Sequence, residues 1–160
     1  MNRREAIKIG AAAAVALPLA SQSAQPLLVT PLFFTPEEFH AVDVLTEMII
    51  PTDDHSPGAH AAKVAEYIDK RLAESFDPEP PQIWRAGLKL YLAAPQSQWT
   101  SILTARAENE FEAKTPDDLF FKELKGRTVE TYYSSAIGIH QEMEYKGNTY
   151  QDVYSGFDAK

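Results

Sequence analysis

Thr35-Pro36-Glu37-Glu38-Phe39-His40-Ala41-Val42-Asp43-Val44-Leu45-Thr46-Glu47-Met48-Ile49-Ile50-Pro51 is the stretch that decides the fold class. Thr35 is an N-cap candidate, Pro36 suits the first helical position, and Glu38 completes a capping box with Thr35. Phe34 and Phe39 are spaced as a hydrophobic staple around that cap. Phe39, Val42, Leu45 and Met48/Ile49 then recur at helical spacing, while His40, Asp43 and Glu47 face elsewhere. Pro51 stops the run.

The same alternation of helix starts and stops continues downstream. Pro51-Thr52-Asp53-Asp54-His55-Ser56-Pro57-Gly58-Ala59 reads as a turn-rich loop. Ser56 can cap a second helix with Pro57 at its first position; Val64, Tyr67/Ile68 and Leu72 share one face, and the helix ends near Ser75. Asp77-Pro78-Glu79-Pro80-Pro81 reads as a connector, because proline removes backbone donors. A third helix is expected from Gln82 to about Ala94, with Trp84, Leu88 and Tyr91/Leu92 in register. A fourth starts near Ser97 and reaches toward Phe111. Thr115-Pro116-Asp117-Asp118 is another strong start, with two acids at the positive end of the helix dipole. From there the spacing holds through Gly126 to Ala136 as one long helix. No alternating apolar run is long enough for a central strand. The fold class is all-α: one compact bundle of about five helices, followed by an extended aromatic C-terminal tail carrying Tyr145, Tyr150, Tyr154 and Phe157.

Working outward, the lead-in Pro26–Pro31 reads as extended, and the segment before it reads as an export label. Asn2-Arg3-Arg4-Glu5-Ala6-Ile7-Lys8 is a basic start with paired arginines, followed by an uncharged run from Ile9 to Ala20 and then by small polar residues. That order is the secretory-signal pattern. Arg3 and Arg4 point to the twin-arginine route, which carries folded cargo, with ordinary unfolded export as the alternative. The apolar run is shorter than the ~20 residues that a membrane-spanning helix needs. The division is therefore residues 1–24 as signal peptide and 25–160 as a single domain, with a periplasmic destination.

Composition narrows the function classes. The chain holds 15 basic and 23 acidic side chains. Setting aside the signal with Arg3, Arg4, Lys8 and Glu5 leaves 12 basic and 22 acidic, a net charge of −10. Such a body is repelled by nucleic acid and by anionic lipid. With no cysteine in the chain, disulfides, Cys-attached haem and cysteine-ligated iron–sulfur clusters are excluded. No Gly-x-Gly-x-x-Gly or Walker motif offers a nucleotide or flavin site. Asp53-Asp54-His55 with His60 is the one cluster with metal-ligand chemistry; the plainer reading is a turn in which a short acid caps backbone amides. Ser56, His140 and an acid can be assembled into a triad only on paper, since no nucleophile-elbow motif supports it. Trp84, Trp99 and the Tyr132-Tyr133 pair stand at core spacing.

Three segments carry a resemblance. Ile49-Ile50-Pro51-Thr52-Asp53-Asp54 with Ser56-Pro57-Gly58-Ala59, then Ala65 to Asp69, is similar to the signature loop of the gluconate 2-dehydrogenase subunit 3 family. Phe120-Phe121…Leu124-Lys125…Thr128…Tyr132-Tyr133-Ser134-Ser135…Gly138 and Tyr145-Lys146-Gly147-Asn148-Thr149-Tyr150 resemble it too, so that the similarity spans about Phe33 to Tyr150. The resemblance implies a non-catalytic small subunit that binds a glucose-methanol-choline-type dehydrogenase acting on a sugar or sugar acid. It implies FAD in that large subunit and none in this chain, shared twin-arginine export, and a multihaem cytochrome c as a further partner able to take the electrons. It brings no catalytic residues. The candidate contacts are Pro51, Thr52, Asp53, Asp54, Ser56, Pro57 and Gly58 in the loop, with Tyr145, Tyr150, Tyr154 and Phe157 in the tail. The alternative function is a free-standing periplasmic metal- or ligand-binding protein built on the Asp53-Asp54-His55 loop.

Overall fold

The computed structural model describes residues 30–148. Arg3, Arg4, Tyr150, Tyr154 and Phe157 lie outside the described residues. Within them the fold is five α-helices: α1 Pro36–Ile49, α2 Val64–Ala73, α3 Glu79–Ala93, α4 Trp99–Ala107 and α5 Pro116–Ser134. No strand occurs among the described residues. The expected helical bundle is what forms.

Helix α1 begins where the sequence places it. Glu38 N–H donates to Thr35 Oγ1 at 3.2 Å and Thr35 N–H donates back to Glu38 Oε2 at 2.8 Å. Ala41, Val42 and Leu45 are buried. The segment just before α1 is tied down by one side chain: the buried carboxylate of Asp69 on α2 accepts N–H bonds from Leu32, Phe33 and Phe34 at 2.6, 3.0 and 2.9 Å.

Four helices differ from the sequence expectation at a boundary, each for a local reason. Helix α2 starts at Val64 rather than after Ser56, because residues 58–63 close as successive turns (Ala62 N–H to Gly58 O, Lys63 N–H to His60 O) and Lys63 adopts a left-handed conformation. Helix α3 starts inside the proline run: Pro80 and Pro81 occupy the first turn, where amides have no intrahelical acceptor and their loss costs nothing. Helix α4 is shorter at both ends. A 3₁₀ turn at 96–98 precedes it, and Asn109 N–H bonding Arg106 O tightens its end. Phe111 therefore lies in a separate turn and is 96% exposed. Helix α5 ends at Ser134 rather than Ala136, because Ser135 donates both its N–H (3.0 Å) and its hydroxyl (2.6 Å) to Tyr132 O. A π-type turn, Gly138–Glu142, follows. A side chain at Gly138 would put its Cβ 2.1 Å from Tyr132 O, so only glycine lets the chain turn there.

Helices α3 and α5 form the central pair, and α1, α2 and α4 all pack on α5. The core is a chain of aromatic contacts: Phe34–Trp84 at 5.7 Å, Trp84–Phe120 at 5.3 Å, Tyr91–Phe120 at 5.7 Å and Tyr91–Trp99 at 6.0 Å between ring centroids. Trp84–Phe120 and Tyr91–Trp99 meet edge-on and the other two pairs are tilted; an edge-on pair adds ~0.5–1.5 kcal/mol beyond area burial. Gly87 makes the central pairing possible, since the Phe120 ring occupies the space its side chain would fill. Trp84 and Trp99 are thus core residues, and only Tyr133 of the Tyr132-Tyr133 pair reaches the surface. Helix α5 runs unbroken through Gly126, as its spacing predicts.

Candidate functional site

The loop after α1 is organised from its first residue. Asp53 Oδ1 accepts the amides of His55 (2.8 Å) and Ser56 (2.9 Å), an Asx-type turn closed by Asp53 N–H to Ser56 O. Those two N–H bonds, Ser56's the larger, hold the Asp53 carboxyl below its usual range. On the α1 side, Glu47 staples both ends of the loop. Its Oε1 accepts from Thr52 N–H and Oγ1 at 2.8 and 2.9 Å, and its Oε2 accepts from His60 N–H at 2.8 Å. Burial works to raise the Glu47 pKa, but these bonds outweigh it and the net shift is downward. Gly58 is required here: a Cβ would lie 2.5 Å from both Thr52 N and Glu47 Oε1.

On its other side the loop is joined to the end of the chain's helical body. Tyr132, buried on α5, donates its hydroxyl to Pro57 O at 2.7 Å and lies 2.9 Å from Ser56 Oγ. Ser56 Oγ in turn donates to Glu142 Oε2 at 2.5 Å, and His55 Nε2 sits 3.0 Å from Glu142 O. That carbonyl raises the His55 pKa against the opposing effect of desolvation, helped by the charges of Glu142, Glu144 and Asp53 nearby. Two segments more than 80 residues apart in sequence thus form one surface. It presents Pro51 to His55 from the loop, with Met143 (49% exposed) and Tyr145 (48% exposed) from beyond the turn.

The sequence-level candidates separate into two groups. Pro51, Thr52, Asp53 and Asp54 are exposed, while Ser56 and Gly58 are buried and Pro57 half-buried, so the first half of the loop supplies most of its exposed surface. Tyr145 is exposed, its hydroxyl donating to Asn148 Oδ1 at 2.7 Å. Asp53, His55 and His60 do not converge. Asp53 binds amides, His55 faces Glu142, and His60 Nδ1 meets Asp43 Oδ2 at 2.7 Å. Among the described residues no group of three or more His, Asp or Glu side chains is gathered to hold a metal ion. The paper triad does not assemble either: Ser56 is engaged by Tyr132 and Glu142, and His140 Nδ1 faces Tyr145 O at 3.3 Å.

Glu47, Asp69 and Glu142 were not singled out by the sequence reading. For Asp69 a signal exists. It stands four residues after Ala65 and three before Leu72, on the buried stripe of α2, where an acid survives only with partners. Nothing comparable marks Glu142, whose partners come from a distant loop.

Beside the loop, Asp43, Val44, Glu47 and Met48 of α1 line a groove of about 440 Å³ with Pro51 and His60.

The family model described as gluconate 2-dehydrogenase subunit 3 matches residues 36–150, most of the chain. No curated protein and no solved structure matches it significantly.

Proposed function

Because the chain belongs to the gluconate 2-dehydrogenase subunit 3 family, we propose that it is the non-catalytic small subunit of an FAD-dependent dehydrogenase of the glucose-methanol-choline type. In this reading it binds the large subunit in the cytoplasm and supports its folding. Its twin-arginine segment then takes the folded pair to the periplasm, where a multihaem cytochrome c receives the electrons. FAD belongs to the partner.

One observation carries the reading. The loop at 51–59 and the turn at 138–142 are built into a single surface by buried and half-buried hydrogen bonds among Ser56, Tyr132 and Glu142. The residues that would look catalytic are engaged in holding that surface in place. A preorganised surface with exposed Met143 and Tyr145 suits recognition of a protein, because little conformational freedom is lost on binding. A stable pairing of this kind buries more than ~1,200 Å².

Co-expression with the neighbouring oxidoreductase gene, followed by purification through a tag on this chain, tests the pairing. Recovery of the chain alone, with the dehydrogenase active and exported without it, refutes the reading. Changing Arg3 and Arg4 together to Lys tests the export half. Lysine keeps the charge but loses the planar guanidinium fork, so the expected result is an active, FAD-loaded pair stranded in the cytoplasm. Periplasmic activity that survives the double change refutes twin-arginine export.

A further inference from the structure

We propose that the groove between α1 and the 51–60 loop is the receptor for an arginine- or lysine-bearing segment of the dehydrogenase subunit, its charged head on Asp43 and its aliphatic stem along Val44, Met48 and Pro51. This rests on the reading of the chain as a small subunit and names the part of its surface that reads charge.

Asp43 and Glu47 are four residues apart, as are Val44 and Met48, so the helix lays an acidic row beside an apolar row. Pro51 and His60 close the far wall, and the resulting volume of about 440 Å³ accommodates one long side chain and its neighbours. The lining contains no lysine or arginine, and among the described residues neither Asp43 nor Glu47 is paired with one. The two acids differ in availability. Glu47 is immobilised by its bonds to Thr52 and His60, which keep it ionised, so it contributes a fixed negative field. Asp43 holds only the His60 ring, at 2.9 and 2.7 Å from Oδ1 and Oδ2, and its side chain is 24% exposed beside a His60 ring that is itself 71% exposed and can swing aside.

The same features decide among occupants. A second copy of this chain brings another strongly acidic body, and the protein carries −8 overall. An anionic membrane is repelled for the same reason. A bare divalent cation finds no third ligand among the described residues. A cationic head on a long apolar stem satisfies both rows of the groove at once, as arginine and lysine do when they bury the stem and leave the charge at the tip. Pro51 is shared with the loop, so the groove continues the surface assigned to the partner.

The test uses the full chain and the FAD-loaded large subunit co-expressed with it, with affinity measured at 50 and 300 mM NaCl. Asp43→Lys is expected to weaken binding about tenfold or more at low salt and to flatten the salt dependence, since close opposite charges set both. Asp43→Asn, which keeps the shape, is expected to weaken it about threefold. A panel of Lys/Arg→Glu changes on the large subunit should contain one that restores binding to Asp43→Lys. Unchanged melting temperature and helicity of each variant show that the fold is kept. If the wild-type pair forms and Asp43→Lys binds it equally well at both salts, the groove assignment is overturned while the subunit reading stands. If Asp43→Lys instead alters self-association in sedimentation, the occupant is a second copy and the assignment is overturned. If the wild-type pair never forms, the subunit reading itself fails.

Discussion

Replacing Gly87 by alanine should destabilise the fold, although alanine is the better helix former. A Cβ at position 87 would stand 2.0 Å from Phe120 Cγ, 2.3 Å from Phe120 Cβ and 2.6 Å from Cδ1. Carbon atoms in contact prefer ~3.5–4.0 Å. Rotating the Phe120 ring moves Cδ1 but not Cγ, and even a change of χ1 that carries Cγ away leaves Cβ, which is fixed to the α5 backbone. Helices α3 and α5 must therefore separate by more than an ångström along the pairing that carries the core. Overpacking of this kind costs ~1–3 kcal/mol and sometimes more, against a gain of ~1 kcal/mol from helix propensity. The clash lies at the severe end, so the net loss should be about 2 kcal/mol, or roughly 5–10 °C in Tm for a domain of this size. Gly126→Ala is the matched control. It sits inside α5 with nothing within 4 Å of the added methyl, so the propensity gain should appear alone, at up to ~1 kcal/mol of stabilisation. Thermal and urea melts followed by circular dichroism give both values. A Gly87→Ala protein that melts at or above the wild type would refute the close α3–α5 approach. Full rescue of Gly87→Ala by Phe120→Ala would refute the argument that Cβ, rather than the ring, is the obstacle.

Three further outcomes are expected. Asp69→Asn removes the charge and one acceptor from three backbone amides, and should cost ~1–3 kcal/mol; hydrogen exchange at Leu32, Phe33 and Phe34 should accelerate before that of α5, and unchanged exchange there would show that the lead-in is held by something else. Tyr132→Phe leaves the Pro57 carbonyl without its donor and should cost ~1–2 kcal/mol, with amides of residues 53–56 and of Gly58 losing protection and the far end of α5 unaffected. In acid, the Asp118 carboxyl is held at about 2, first by its hydrogen bond with Thr115; its folded pKa is depressed, so its contribution is present above its ordinary value near 3.8 and is lost as pH falls toward 2. The Tm of Asp118→Asn should accordingly change less than that of the wild type between pH 5 and pH 2, and parallel curves would refute the assignment.

Helix starts were the most legible part of this sequence. Thr35 and Thr115, each followed by proline and then by an acid at the third helical position, form capping boxes with both bonds made. Such signals are local, because a capping box needs only the four residues that compose it. The misplaced boundaries arose where a residue with the right local chemistry had a stronger partner elsewhere. Ser56 followed by Pro57 has the composition of a helix start, yet its hydroxyl is claimed by Tyr132 and Glu142, which the local sequence does not show. Prolines 80 and 81 read as a break and are a beginning, since the rule against proline in a helix does not apply to the first turn. The site was half legible for the same reason. The loop and Tyr145 could be named from composition, but the bond from Ser56 to Glu142 that joins loop to turn spans 86 residues and had no sequence signature.

The carboxylates explain how so acidic a chain can hold a binding surface in place. Glu38, Glu47, Asp53, Asp69 and Asp118 each accept backbone N–H bonds, at helix starts, at the ends of the loop and along the lead-in. Amide dipoles compensate these charges where they sit, so the acids fix backbone geometry. Asp43 and Asp54 differ: Asp43 meets only an imidazole, and Asp54 is exposed. Together they leave a local concentration of negative charge beside the loop and groove that no lysine or arginine among the described residues offsets. Self-repulsion disfavours that concentration in an isolated subunit, and a basic surface on a partner relieves it. For the small subunit proposed above, the arrangement makes chemical sense: Glu47 and Asp53 build the loop, and Asp43 and Asp54 are left to face a basic partner.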